Sequence, residues 1–136
     1  MPERIFVDTG AWVALYLPKD AHHRAARAAL EELKRQSAIL LTSNYVIAEA
    51  ITAVRSFASH ARAVELGEAL FGSRLIRRIP IHERLEQRAW ALFRKYDDPS
   101  FSFTDCTSFA VMEAEGIATA FAFDRDFVVA GFKARP

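Results

Sequence analysis

A chain of 136 residues is long enough for one compact domain with its own core. Hydrophobic residues make up 51% and charged residues 26%, which excludes a disordered chain, and a net charge of +1 excludes a globally basic nucleic-acid binder. Cys106 is the single cysteine, which excludes an internal disulfide, and apolar runs such as AWVALYL fall far short of the ~20 residues that span a bilayer.

In chain order, RIFVD (residues 4–8) is a short apolar run ending in an acid and predicts a strand. TGAWVALYL follows as a helix, with Thr9 as its cap and Pro18 as its stop. Residues 20–36, Ala-rich with charges on one face, predict a second helix. AILLTS is a buried strand, and Ser43 and Asn44 are caps for a helix from Tyr45 to Phe57. A helix over residues 60–71 ends at Gly72, RLIRRIPI is a third strand, and HERLEQRAWALFRKY is a helix broken by DDPS. Thr104 to Glu115 is a helix closed by Gly116, and IATAFAFD is a fourth strand ending in an acid. The tail offers one further edge strand. No linker or repeat interrupts the chain, so residues 1–136 form a single domain. The alternation predicts an α/β fold: a parallel sheet of four to five strands covered by helices on both faces. Sites in such sheets lie at the carboxyl ends of the strands. The N-terminus, MPERIFVDTG, has no apolar region of signal-peptide length, so a soluble cytoplasmic protein is expected.

That edge rule brings the acids together. Asp8 ends the first strand and Asp124 the fourth. Asp105 opens a helix whose inward face carries Phe109 and Met112, so it points inward too. Glu49 lies at the border of an apolar stripe made by Val46, Ile47, Ala50, Ile51 and Val54. Each acid alone reads as a helix cap, a loop acid or an exposed helical residue. Jointly they form a cluster. Two carboxylates ~4 Å apart repel by ~4 kcal/mol at an effective dielectric of about 20. Arg125 is the one cation inside these motifs. A hard divalent cation, Mg2+ or Mn2+, is the natural compensation, and such ions activate water for phosphodiester hydrolysis.

IFVDTGAWVAL, TSNYVIAEAITAV, FSFTDCTSFAVM and AFAFDRDF resemble the four motifs of the PIN-domain ribonucleases, and of the VapC toxins of toxin–antitoxin pairs in particular. The resemblance covers nearly the whole chain, in order and spacing. It implies a three-layer α/β/α domain and a metal-dependent endoribonuclease that leaves a 5′-phosphate and a 3′-hydroxyl. Asp8, Glu49, Asp105 and Asp124 would be the catalytic, metal-binding acids. Thr9 and Thr104 would be supporting hydroxyls beside them. Asp126 is the second acid of the last motif, ranked below Asp124 because its side chain lies beyond the strand end. RNA, a cognate antitoxin and a second copy of the chain are the implied partners. Leu66, Leu70 and Phe71 could form an interface or pack in the core.

Other features point elsewhere with less force. His22 and His23 diverge by ~100° on a helix and make a poor metal pair. Cys106 has no activating base beside it and reads as a small core residue. Trp12 and Trp90 read as packing. Arg24, Arg27, Lys34, Arg35, Arg74, Arg77 and Arg78 form solvated faces, some of which could hold RNA phosphates. VDTGAW matches neither a P-loop nor GxGxxG, which disfavours a nucleotide cofactor. A PIN-fold nuclease of RNA processing fits the same motifs. A phosphoacceptor receiver would need a second acid near the first strand and a late strand-end lysine. A non-catalytic interaction domain would use the acids only as caps, with no metal dependence.

Overall fold

The computed structural model describes residues 2–136. Its elements are β1 (Arg4–Val7), α1 (Thr9–Tyr16), α2 (His23–Arg35), β2 (Ile39–Ser43), α3 (Asn44–Phe57), α4 (His60–Gly72), β3 (Ile76–Ile79), α5 (Glu83–Lys95), α6 (Phe103–Glu115), β4 (Thr119–Phe121), α7 (Asp126–Val129) and β5 (Lys133–Arg135). All five strands are parallel, in the order β3-β2-β1-β4-β5. The tail thus supplies a short helix and the fifth strand. No helix among the described residues is long and apolar enough to cross a membrane.

β1 is the central strand, and Ile5, Phe6 and Val7 are fully buried, as expected of a parallel strand covered on both faces. The chain builds outward from β1 to β2 and β3, then returns to the other side of β1 for β4 and β5. Helix contacts sort accordingly into α1–α4 and α5–α6, as right-handed crossovers in opposite directions require. The reversal leaves a topological switch point between β1 and β4, at the carboxyl ends of the strands. α3 and α6 approach each other there.

Several boundaries differ from the sequence expectation. Asp8, not Thr9, is the N-cap of α1, because its carbonyl accepts from the Ala11 and Trp12 amides while its own N–H still pairs with Phe121 across the sheet. α2 starts at His23, after Asp20 turns the chain by accepting the His22 N–H. Ser43 caps α3 by accepting from the Val46 amide, whereas Asn44 Oδ1 accepts from the Ile81 amide and ties the loop after β3 to α3. α6 starts at Phe103 behind the N-cap Ser102, so Thr104 lies inside the helix. β4 stops at Phe121, and Asp124 sits beyond it.

Leu66 and Leu70 are buried in the core beneath α4, which removes them from any interface, while Phe71 is exposed. Trp12 is buried, its Nε1 donating to Thr42 Oγ1 at 3.2 Å. Trp90 is 53% exposed, stacked on Phe93 and edge-on to Phe103, so it is not a core residue.

Candidate active site

Asp8 leaves β1 at the switch point and is only 4% exposed. Its backbone is held on both sides. The amide donates to Phe121 O at 3.0 Å, and Thr42 Oγ1, linked to Trp12, donates to the neighbouring Val7 carbonyl at 3.2 Å. The side chain makes no capping bond to α1 and is left for another role. Burial pushes its carboxyl up to about 8, reinforced by the charges of Asp124, Asp105 and Glu49 and opposed by the Thr9 amide.

Asp105 caps its own helix and also belongs to the acid cluster. One oxygen, Oδ2, accepts the Ser102 N–H at 3.0 Å, and its own amide donates to Ser102 Oγ at 3.0 Å, completing a capping box. The carboxyl also meets that of Asp126. Burial pushes Asp105 up to about 7, against the Ser102 amide and with the charges of Asp126 and Asp124. Asp124, on the loop after β4, accepts the Asp126 N–H at 3.1 Å on Oδ1. Its carboxyl is raised by burial and by Asp126.

One ligand oxygen from each of Asp105, Asp124 and Asp126 lies within 4.8 Å of the others. At an effective dielectric of about 20, such pairs repel by roughly 3 kcal/mol each when ionised. None of the ion pairs among the described residues includes these acids, Asp8 or Glu49. Asp126, expected beyond the strand end, is the first residue of α7, turns back into the cluster and is 9% exposed, while Asp124 is the more open of the two. The D-x-D spacing before FVV was the available signal, since an acid at a helix start can face the preceding loop. Ser102 was also readable, as the first residue of an S-x-x-D capping box.

Glu49 is exposed on the second turn of α3 and lines a groove of about 650 Å³ with Tyr45, Thr52, Phe57 and Thr104. Its charge acts on Asp8 from there. A second groove of about 400 Å³ is lined by Thr9, His22, Phe57, Phe123 and Asp124. Phe57, 77% exposed, and Ala53 border both grooves, so Glu49 lines the one and Asp124 the other on either side of them. Both supporting threonines line these grooves. Thr9 Oγ1 is buried beside Asp8 and has no partner within the protein.

These donors fit a hard divalent cation. They are all oxygens, Asp8, Asp105 and Asp126 among them buried; burial first and then neighbouring carboxylates raise Asp8, Asp105 and Asp124, and none of the ion pairs among the described residues relieves them. Cys106 is buried, and burial with the neighbouring Asp105 charge pushes its thiol up, away from a thiolate. His22 and His23 separate as expected: His23 Nδ1 bonds the Ala14 carbonyl, and His22 stacks on Phe123.

A family model described as PIN domain matches residues 5–133. The 23S rRNA-specific endonuclease VapC20 of Mycobacterium tuberculosis is 38% identical over 128 residues, 94% of this chain and 95% of that protein. The crystal structure of that VapC20, described as a sarcin-ricin loop cleaving toxin, superposes with a TM-score of 0.89 over 97% of this chain and 99% of its own. FitAcB from Neisseria gonorrhoeae shares the fold at a TM-score of 0.70 and 20% identity, covering 97% and 96% of the two chains. A toxin–antitoxin complex from Klebsiella pneumoniae does so at 0.64 and 17%, over 90% and 89%.

Proposed function

The chain belongs to the PIN-domain family, in its VapC-type branch, and from that premise we propose that it is a metal-dependent endoribonuclease, the toxin of a toxin–antitoxin pair. The observation that carries the reading is the convergence of buried carboxylates from β1, α6 and α7 with no cationic side chain to neutralise them. A purely structural role would not retain that cost. The same cost disfavours a non-catalytic interaction domain.

Asp8, Asp105, Asp124 and Asp126 would hold Mg2+ or Mn2+, directly or through water, with Glu49 completing the charge at the groove. A divalent ion bound there supplies Lewis acidity toward a phosphodiester and lowers the pKa of water. The chain's own residues do the rest. The capping box and the β1–β4 pairing hold Asp105 and Asp8 rigid. Thr104 offers its hydroxyl to the substrate phosphate or to water in the groove, and the buried Thr9 hydroxyl stays beside Asp8 as a partner for that carboxyl or the ion it would hold. Glu49, exposed at the groove, would orient the attacking water and accept its proton. Hydrolysis by water leaves a 5′-phosphate and a 3′-hydroxyl. The substrate class is RNA in the cytoplasm, and large ribosomal RNA is the first to test.

Two partners follow. An antitoxin segment carrying a basic side chain would neutralise the acid cluster and block the groove. A second copy of the chain would pair through α5. There Glu83 and Glu86 precede Trp90, and Arg94 and Lys95 follow it, so an antiparallel α5 pair sets acid against base around the exposed Trp90 and Phe93. Trp90→Glu should then convert a dimer to a monomer in sedimentation.

The decisive experiment is Asp105→Asn. Asparagine can still accept the Ser102 amide, so the melting temperature should hold within a few degrees. Cleavage of long structured RNA should fall by about 10²–10⁴-fold, roughly 3–5 kcal/mol of transition-state stabilisation. Unchanged cleavage in a folded mutant would remove the assignment.

A further inference from the structure

A ladder of rings runs from the core into the groove. Phe121 is fully buried at the end of β4. Phe123 meets it edge-on, with centroids 6.0 Å apart and planes at 62°. The imidazole of His22 then lies flat on Phe123, with centroids 4.5 Å apart and planes at 9°. His22 is exposed and borders the same groove as Thr9 and Asp124.

The ring is presented by an anchored backbone. The His22 amide donates to Asp20 Oδ1 at 2.8 Å, and its carbonyl accepts the Ala26 amide at 2.8 Å. The next residue is tied down as well, His23 Nδ1 to the Ala14 carbonyl at 2.7 Å. A parallel stack consumes one face of the imidazole and leaves the other free. The groove beside it is walled by Val13, Ala53 and Phe57, and its charged members, Asp20 and Asp124, are acids that repel a phosphate. A planar, uncharged aromatic ligand suits that surface better than a phosphate does.

We propose that the His22–Phe123 stack is a nucleobase subsite, on which one base of the RNA next to the cleaved linkage unstacks and lies against the imidazole. The inference rests on the endoribonuclease reading and deepens it. Single-stranded and loop RNA are read by such aromatic platforms, histidine included, at about 1–3 kcal/mol per base. Asp124 is the next residue after Phe123, so a base held there fixes which phosphate reaches the acids. It also restricts cleavage to nucleotides that can splay out, which excludes regular duplex.

The test uses RNA hairpins carrying 2-aminopurine at successive loop positions, bound by full-length protein in an Asp105→Asn background. One position should show strong fluorescence quenching. His22→Ala should abolish it and His22→Phe should restore it. In the otherwise wild-type enzyme, His22→Ala should raise KM about tenfold with kcat changed less than about twofold, and His22→Phe should return KM to near its original value. Quenching and KM indifferent to His22→Ala, or failure of phenylalanine to rescue, overturn the subsite, as does absence of quenching at every position. Quenching that depends on His22 in a protein that cleaves no RNA sustains the subsite and removes the nuclease reading. Cleavage insensitive to His22 does the reverse.

Discussion

The two ends of β1 treat their charges in opposite ways. At its leading end, Glu3 accepts from Arg135 at 2.7 Å and from Thr119 at 3.3 Å, and Arg4 bonds both the carbonyl and the carboxylate of Glu115. These pairs are partly exposed and locally neutral. At the trailing end, about 17 Å along the strand, Asp8 is buried among other carboxylates with no cation in reach. One strand thus joins a conventional surface ion-pair network to an electrostatically costly cluster. Local strand chemistry does not force that cost, since the same strand and the same sheet satisfy charges elsewhere. Arg125, between Asp124 and Asp126 in sequence, is exposed and makes none of the ion pairs among the described residues, so the acids keep their repulsion where the leading end of the strand neutralises its charges.

The largest effect that could break this comparison is on catalysis. Asp8→Asn should lower RNA cleavage by at least about 100-fold, some 3 kcal/mol in the barrier, while the apo protein melts at or above the wild-type temperature. A destabilised apo mutant would mean that Asp8 is a structural acid after all.

Next in size is the response to pH and metal. The Asp8 carboxyl sits at about 8 in the folded chain against 3.8 for the free side chain, and Asp105 at about 7. Between those limits the folded state holds protons that the unfolded chain has released. Stability of the metal-free protein therefore falls as pH rises from about 4 to about 8 and levels off above. In EDTA the melting temperature should drop by roughly 5–10 °C between pH 5 and pH 8. Asp8→Asn should flatten that slope. Millimolar Mn2+ at pH 8 should recover several degrees, since binding to the folded state alone stabilises by about 2.7 kcal/mol at a hundredfold excess over Kd. A melting temperature blind to both pH and metal contradicts the cluster.

A comparison of Asp124→Asn with Asp126→Asn sharpens the picture within the cluster. Asp126 is the more buried and contacts Asp105, so its replacement should cost metal affinity at least as much as that of Asp124. Isothermal titration with Mn2+ decides it. A much larger loss for Asp124 alone would restore the order suggested by the motif.

The smallest effect belongs to the other end of β1. Glu3→Gln removes one partly exposed pair and should cost under about 1 kcal/mol, or about 2–4 °C, with cleavage unchanged. A catalytic defect there would mean that the two ends of the strand are coupled.

The sequence by itself determined much of this protein. IFV followed by Asp can only be a buried strand with an acid at its end, because a continuous apolar run of that length suits a central parallel strand. The small and apolar residues after Asp105 dictate a helix buried all round from Asp105 to Met112, and Gly116 at φ 69 closes it. Alternating strands and helices fixed the class of sheet and the edge on which sites lie, and the four motifs pointed to the acids. What the chain order could not convey was distance. The switch point between β1 and β4 arises only when the strand order reverses. Burial of Leu66 and Leu70, and exposure of Trp90, depend on which helix covers which face. Helical periodicity marks a stripe without saying what packs on it. Asp126 joins Asp105 through a turn after β4 that hydropathy does not reveal. His22 meets Phe123 across a long loop closure, a contact with no local signature in either segment. Local propensities act over a few residues, whereas the electrostatics of the site depend on ångström separations that only the packed sheet and helices set.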